Sequence, residues 1–223
     1  MAGVLLPSMR YVLLVLVVAL TATGCLGGGP TAKAKPVTPE SVALQAGDVS
    51  GLQRCTVSGD VTAVLQDEKS TSPAEYDVNA TEWEQWRRQG AADAYLAVYG
   101  RTAADCAAAS VSGTGAPSGG LMVALIVQFK NETGAARTYG TGSTLLGFGP
   151  RDIAFIRLVG GSLTTGSDTG LGPRSVIGSG TSPGSTYYLA FWQNKVFDSF
   201  LIAYDLPSTE ALYAANHENL RIG

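Results

Sequence analysis

The chain has 223 residues, of which 45% are hydrophobic, 15% are charged and 28 are glycines. The greater part of the chain is about as long as one ordinary globular domain, and it is apolar enough to bury a core. The formal net charge is -3 at pH 7. No basic surface is therefore expected, and nucleic acid is not expected as a partner.

The first 25 residues have the three regions of an export signal. Arg10 marks a basic start, residues 11–20 form an apolar core, and small residues precede Cys25. The core is about half of the roughly 20 residues that a helix needs to span a bilayer, so a transmembrane anchor is the weaker interpretation. An ordinary secretory signal, cut near the same place, stays open as an alternative.

The run Ala22-Thr23-Gly24-Cys25 resembles the lipobox of bacterial lipoproteins. This resemblance implies that the Cys25 sulfur is diacylated, that the upstream peptide is removed, and that the protein is anchored on the extracytoplasmic side of the cell membrane. Two acyl chains hold a protein on a membrane almost permanently. In general character the chain also resembles the small alanine- and glycine-rich lipoproteins of high-GC Gram-positive bacteria.

Composition divides the rest of the chain into a linker and a domain. Residues 26–38 contain three consecutive glycines and few bulky apolar side chains, which is typical of a flexible tether. We therefore expect a signal peptide at 1–24, the lipidated cysteine and tether at 25–38, and a single globular domain at 39–223.

Cys55 and Cys106 remain once Cys25 is assigned to the lipid, and in an oxidising compartment they are expected to pair. A bridge that closes a loop of about 50 residues should stabilise the fold by roughly 4 kcal/mol in the chain-entropy model. A redox or metal pair is the alternative, but the chain has no CxxC spacing and a single histidine. The sequence has no dinucleotide fingerprint, phosphate-binding loop, zinc-binding helix or EF-hand loop, so we expect no metal and no cofactor.

Three apolar stretches are each followed by a polar break and an alanine-containing amphipathic stretch. This pattern predicts a strand, a turn and a helix three times. The strands are expected at residues 94–99, 121–129 and 196–204, and the helices at 103–109, 132–139 and 209–220. Their N-caps are predicted at Thr102, Asn131 and Ser208.

A further helix is predicted at residues 80–89, with Asn79 as its N-cap. Residues 187–192 and 196–204 predict an antiparallel hairpin with a short loop at 193–195. Hairpins and helices that return the chain favour an α+β fold. We expect one mainly antiparallel or mixed sheet, with helices packed chiefly on one face and a single disulfide. A half-barrel closed around a ligand cavity is the alternative.

The pattern Gly-X-Gly-Pro-Arg occurs twice, ending at Arg151 and at Arg174. One interpretation is a pair of equivalent turns that lead into paired strands. The other is an anion site, in which Arg151 and Arg174 lie beside the exposed amides of Gly149 and Gly172 and bind a carboxylate, phosphate or sulfate. Glycine-proline turns are the commoner of the two structures.

Residues 180–184 match the Gly-X-Ser-X-Gly pattern, and Asp205 and His217 follow Ser182 in the order of α/β hydrolases. The context argues against a nucleophile elbow. An elbow needs a helix directly after the serine, whereas the residues after Ser182 predict a loop that enters a strand. Ser182, Asp205 and His217 are nevertheless the only nucleophile, acid and base set that the sequence offers.

Two further groups of residues are interpreted as parts of the core or of the surface rather than as binding or catalytic sites. Trp83 and Trp86, one helical turn apart, are expected in the core rather than in an aromatic platform for sugars or peptides. Glu68 and Glu82 belong to a dispersed set of carboxylates, which we interpret as solvated surface.

The leading hypothesis is a non-enzymatic extracytoplasmic lipoprotein that binds a small ligand, an envelope component or a membrane protein. A cell-envelope serine hydrolase that uses Ser182 is the first alternative. The second is an accessory subunit of a transporter or sensor, docked through an exposed face or edge of the sheet.

Replacement of Cys25 tests the anchor. Cys25→Ala should release the protein from the membrane fraction or leave it uncleaved, because the acylated sulfur is lost, while the far-UV circular dichroism of the domain stays unchanged. Cell fractionation followed by intact mass of the product is the measurement. A variant that is still processed and membrane-bound contradicts the lipobox interpretation.

Overall fold

A computed structural model describes residues 36–109, 119–158, 160–182 and 185–223. The predicted signal peptide, Cys25 and the tether up to residue 35 lie outside these ranges. The described chain from Pro36 onwards forms one compact unit. None of its described helices combines the length and the apolar character needed to cross a membrane.

The described residues form seven α-helices and eight strands. The helices are α1 (Pro39–Val42), α2 (Val61–Thr71), α3 (Pro73–Arg88), α4 (Ala103–Ala108), α5 (Glu132–Thr138), α6 (Pro150–Leu158) and α7 (Ser208–Ile222). The strands are β1 (Gln53–Arg54), β2 (Gly59–Asp60), β3 (Ala91–Gly100), β4 (Leu121–Phe129), β5 (Ser162–Thr165), β6 (Ser175–Ser182), β7 (Ser185–Asn194) and β8 (Phe197–Tyr204).

All eight strands join one antiparallel sheet. Its order is β1-β3-β4-β8-β7-β6-β5, and β2 also pairs with β3. The strands β3, β4, β8 and β7 are buried along most of their length, which explains why their sequences are continuously apolar rather than alternating. β1 and β5 lie at opposite ends of this order, as in an open sheet rather than a closed barrel.

Helices cover both faces of the sheet, and most of them lie on one face. That face carries α2 to α6, with Trp83 and Trp86 in its core as predicted, and the Trp86 ring stacks on Phe200 with centroids 6.0 Å apart. The opposite face carries α1 and α7, which bury Val42 and Ala215. The predicted α+β fold, with its mainly antiparallel sheet and helices chiefly on one face, is confirmed.

The three predicted strand-turn-helix units all form. Thr102 caps α4 and Asn131 caps α5, each through a side-chain oxygen that accepts a hydrogen bond from a backbone amide. Ser208 is instead the first residue of α7, and Pro207 occupies the N-cap position without a side-chain hydrogen bond. The prediction for this third cap is therefore wrong by one residue.

The helix predicted at residues 80–89 is longer and begins at Pro73. Proline suits the first helical turn, because its missing N–H needs no partner there. Asn79 lies inside this helix, is 5% exposed and donates to the Glu68 carboxylate. The N-cap prediction for Asn79 is wrong because its partner is a side chain on another helix rather than a backbone amide.

Strands β7 and β8 form the predicted hairpin, with Asn194 paired to Phe197. The loop consists of Lys195 and Val196, and it is shorter than the predicted residues 193–195. Lys195 has a φ of 53°, in the left-handed region that tight two-residue hairpin turns require.

Arg221 fastens α7 to the beginning of the domain. Its guanidinium donates to the carbonyl oxygens of Val42 (2.8 Å) and Ala43 (3.0 Å) and to both carboxylate oxygens of Asp48 (2.7 and 3.0 Å). Burial opposes ionisation of Asp48, but the hydrogen bonds from Arg221 hold its pKa below the ordinary value. The first and last helices of the domain are thus joined by charge-assisted hydrogen bonds.

Cys55 and Cys106 form the predicted disulfide, with their Cα atoms 5.4 Å apart. Cys55 lies between β1 and β2, and Cys106 lies in α4. The bridge therefore ties one edge of the sheet to the helix that follows β3.

Serine substitutions test the contribution of this bridge. Cys55→Ser and Cys106→Ser should lower the melting temperature equally, each removing roughly 4 kcal/mol of stability, because either change abolishes the same crosslink. The double variant should be no less stable than either single variant. Thermal denaturation without reductant is the measurement, and additive losses in the double variant would show that the cysteines act independently.

Candidate ligand-binding cleft

A cleft of about 650 Å³ opens where the described helices leave part of the sheet uncovered. Its floor comes from adjacent residues of three strands, since Val98 pairs with Val123 and Val123 pairs with Ile202. Val123 is only partly buried, although β4 lies inside the sheet between β3 and β8. The gap thus exposes the middle of the sheet rather than its edge.

The walls of the cleft are mainly aliphatic. Ala74 and Val78 contribute from the first turns of α3, and Leu145 and Leu146 contribute from the loop between α5 and α6. Val78 is 54% exposed and lies at the rim. A concave site with aliphatic walls and few polar groups is typical of small-molecule binding.

The loop wall is held in place by Glu82 of α3. The Glu82 carboxylate accepts hydrogen bonds from the amides of Thr144 (2.8 Å) and Leu145 (3.4 Å) and from the Ser143 hydroxyl (3.1 Å). Burial raises the pKa of Glu82, and these hydrogen bonds oppose the rise. The interpretation of Glu82 as solvated surface is wrong, because the loop bonds directly to its carboxylate.

One end of the cleft is acidic. Glu68 of α2 is 2% exposed, and its two carboxylate oxygens accept hydrogen bonds from the Asn79 amide at 3.2 and 3.1 Å. Burial and the charges of Glu75 and Asp67 raise the pKa of Glu68, against the effect of the Asn79 hydrogen bond. Glu75 also lines the cleft, and its Oε2 atom is buried with no hydrogen-bond partner among the described residues.

The interpretation of Glu68 as solvated surface is also wrong, and helical spacing contains the missed signal. Positions 61, 64, 65 and 68 lie on one face of α2, and Glu68 is the polar member of that buried face. Asn79 shares the buried face of α3 with Trp83 and Trp86. Two polar residues on facing apolar stripes indicate a buried hydrogen-bonded pair.

The two arginines of the predicted anion site lie in different kinds of element. Arg151 is exposed in the first turn of α6, whereas Arg174 precedes β6 and donates to the Gln193 side chain at 2.6 Å. The repeat therefore does not form equivalent turns, because one copy starts a helix and the other leads into a strand. Gly149 directly precedes α6, and Gly172 has a left-handed φ of 117°. An anion site at these residues stays a hypothesis.

Asp205 and His217 of the predicted catalytic set each form a hydrogen bond with a residue outside the set. Ser182 is the last residue of β6 and pairs with Ser185, the first residue of β7, so the element that follows the serine is a strand, as predicted, and not a helix. Asp205 accepts a hydrogen bond from the amide of Thr186 at 2.9 Å. His217 lies on α7, with its Nδ1 atom 3.1 Å from Asp48. The acid and the base of the set thus have different partners.

A buried carboxylate lies on β8 outside the cleft lining. Asp198 is 1% exposed and accepts a 2.5 Å hydrogen bond from the Thr138 hydroxyl. Burial raises the pKa of Asp198 to about 7, although the Thr138 hydrogen bond and the nearby Arg174 charge lower it. This carboxyl group titrates near neutrality in the folded protein.

Other classes of site receive no support from the described part of the chain. It contains no group of three or more histidine, cysteine, aspartate or glutamate side chains arranged to hold a metal ion. Comparison with known proteins yields no match to a protein-family model and none to a curated protein. The chemistry of the cleft is therefore the basis for a functional proposal.

Asp198→Asn should change how stability depends on pH. The ordinary pKa of an aspartate is 3.8, but burial raises the pKa of native Asp198 to about 7. Between these two pH values the folded state binds more protons than the unfolded state, so the free energy of unfolding falls as pH rises. The neutral asparagine should remove up to about 1.4 kcal/mol per pH unit of that fall.

Urea denaturation of both proteins between pH 5 and pH 8 measures the difference. Asp77→Asn, on the exposed side of α3, is the control for loss of one carboxylate. Equal pH slopes for wild type and Asp198→Asn would contradict the raised pKa.

Proposed function

We propose that this protein is a membrane-anchored, extracytoplasmic binding protein that holds a small molecule with an apolar body and catalyses no reaction. The observation that carries the proposal is the cleft of about 650 Å³ over the middle of the sheet. Small-molecule sites usually occupy roughly 300–1,000 Å³, so the size is suitable.

Apolar binding follows from the walls of the cleft. Val78 is largely exposed and Val123 is partly exposed, although both are aliphatic. An apolar ligand would remove these side chains from water, and burial of apolar surface contributes about 25 cal/mol per Å². The cleft thus offers a hydrophobic driving force without rearrangement of the sheet.

A set of hydrogen bonds and a disulfide hold two walls of the cleft in place. Glu82 holds the loop that carries Leu145, and the disulfide holds α4 against the edge of the sheet. Val57 and Ala109, two and three residues after the bridged cysteines, line the cleft. A site that is already formed loses less entropy when its ligand binds.

The anchoring part of the proposal rests on the signal that ends at Cys25. The disulfide supports an extracytoplasmic location, because such bridges persist mainly in oxidising compartments. Acylation at Cys25 would hold the binding domain close to a source of apolar molecules, the membrane itself.

Occupation of the cleft can be tested with the neutral dye N-phenyl-1-naphthylamine, which fluoresces strongly in apolar surroundings. The dye should bind wild type with one-site saturation. Val123→Trp should weaken binding at least about tenfold, because the larger ring fills the floor of the cleft. Fluorescence titration is the measurement.

Leu158→Trp is the matched control, since Leu158 is 82% exposed on α6 and outside the cleft. It should bind the dye as wild type does. No saturable binding to wild type, or equal weakening in both tryptophan variants, would contradict a ligand site in the cleft.

A further inference from the structure

The negative charges at the acidic end of the cleft are not neutralised by ion pairs with basic residues of the described chain. Glu68 and Glu75 both line it, and the hydrogen bonds that reach Glu68 come from the neutral amide of Asn79. The buried Oε2 atom of Glu75 has no hydrogen-bond partner among the described residues. Buried carboxylate oxygens are stabilised by donors, and most strongly by charged donors.

The basic residue next to Glu68 in the sequence contacts an aromatic ring instead. Lys69 follows Glu68 on α2, but its Nζ atom lies over the Tyr76 ring, 5.5 Å from the centroid. In the described ranges, the ion pairs are those of Asp48 with His217 and with Arg221. The two carboxylates of the cleft therefore have no ion-pair partner from the described chain.

We infer that the cleft selects a ligand with a positively charged group on an apolar body, and that Glu68 and Glu75 bind the charged group. The inference rests on the proposed binding function and names the chemical class of the ligand. An ammonium group would donate to the free lone pairs of both carboxylates, while a hydrocarbon body would cover Val123 and Ile202 on the floor.

The same geometry disfavours an anionic amphiphile. A fatty acid that placed its carboxylate beside Glu68 and Glu75 would bring a third negative charge into a partly buried site, where like charges are weakly screened. A neutral alcohol could donate a single hydrogen bond. Selectivity should therefore follow the charge of the head group when the hydrocarbon chain is held constant.

Dodecylammonium and dodecanoate have matched chains and opposite charges, and isothermal titration calorimetry at pH 8 below their micelle concentrations compares them. Wild type should bind dodecylammonium at least about tenfold more tightly. Glu68→Gln combined with Glu75→Gln should bring the ratio of the two affinities close to one, since glutamine keeps the shape and an acceptor for Asn79 but removes the charge.

Controls separate this site from general attraction to an acidic protein. Glu84→Gln combined with Glu132→Gln removes the same charge from exposed positions and should keep the wild-type ratio. Glu75→Gln alone, at a partly exposed residue, should lower the ratio even if the double variant of the cleft is unstable.

The outcomes distinguish the two proposals. If both amphiphiles bind equally, or the ratio is unchanged in the cleft variants while Val123→Trp blocks both, charge selection is overturned and the binding function stands. If neither amphiphile binds, or Val123→Trp has no effect on either, the binding function and the charge selection are overturned together.

Discussion

The structure depends on an antiparallel sheet whose central strands are apolar on both faces. Such a sheet is stable in water only if a layer of other elements covers each side. α1 and α7 cover one side, joined by the hydrogen bonds of Arg221, and five helices cover the other. The cleft is the place where the described elements of the second layer leave these strands uncovered.

The cleft also contains a charged residue at a position where helical spacing favours an apolar one. Glu68 lies on the apolar face of α2, where a leucine or valine would pack with less desolvation. Asn79 meets it from the corresponding face of α3. Proteins usually accept such conflicts at functional positions. A buried carboxylate at the end of an aliphatic cleft is consistent with the proposed recognition of a cationic group.

Several interactions between distant parts of the chain make the cleft a defined shape. The disulfide joins positions separated by 51 residues, and Glu82 bonds to a loop about 60 residues further along. Each holds a different wall. Removal of either contact would loosen one side of the cleft while the sheet stayed intact, because the ladder of the central strands does not depend on them.

The sequence by itself determined the elements whose signals are local: the three strand-turn-helix units, the hairpin, two of the four predicted helix caps and the pairing of Cys55 with Cys106. The side chains of Thr102 and Asn131 each accept a hydrogen bond from a backbone amide of the helix that follows, so the neighbouring residues suffice to identify both as N-caps. Only the tertiary structure decided the roles of Glu68, Asn79 and Glu82. The hydrogen-bond partners of these residues lie on other helices or on a loop. The cleft depends on how separate helices and a loop pack over the same strands, and a local sequence pattern contains no information about that packing.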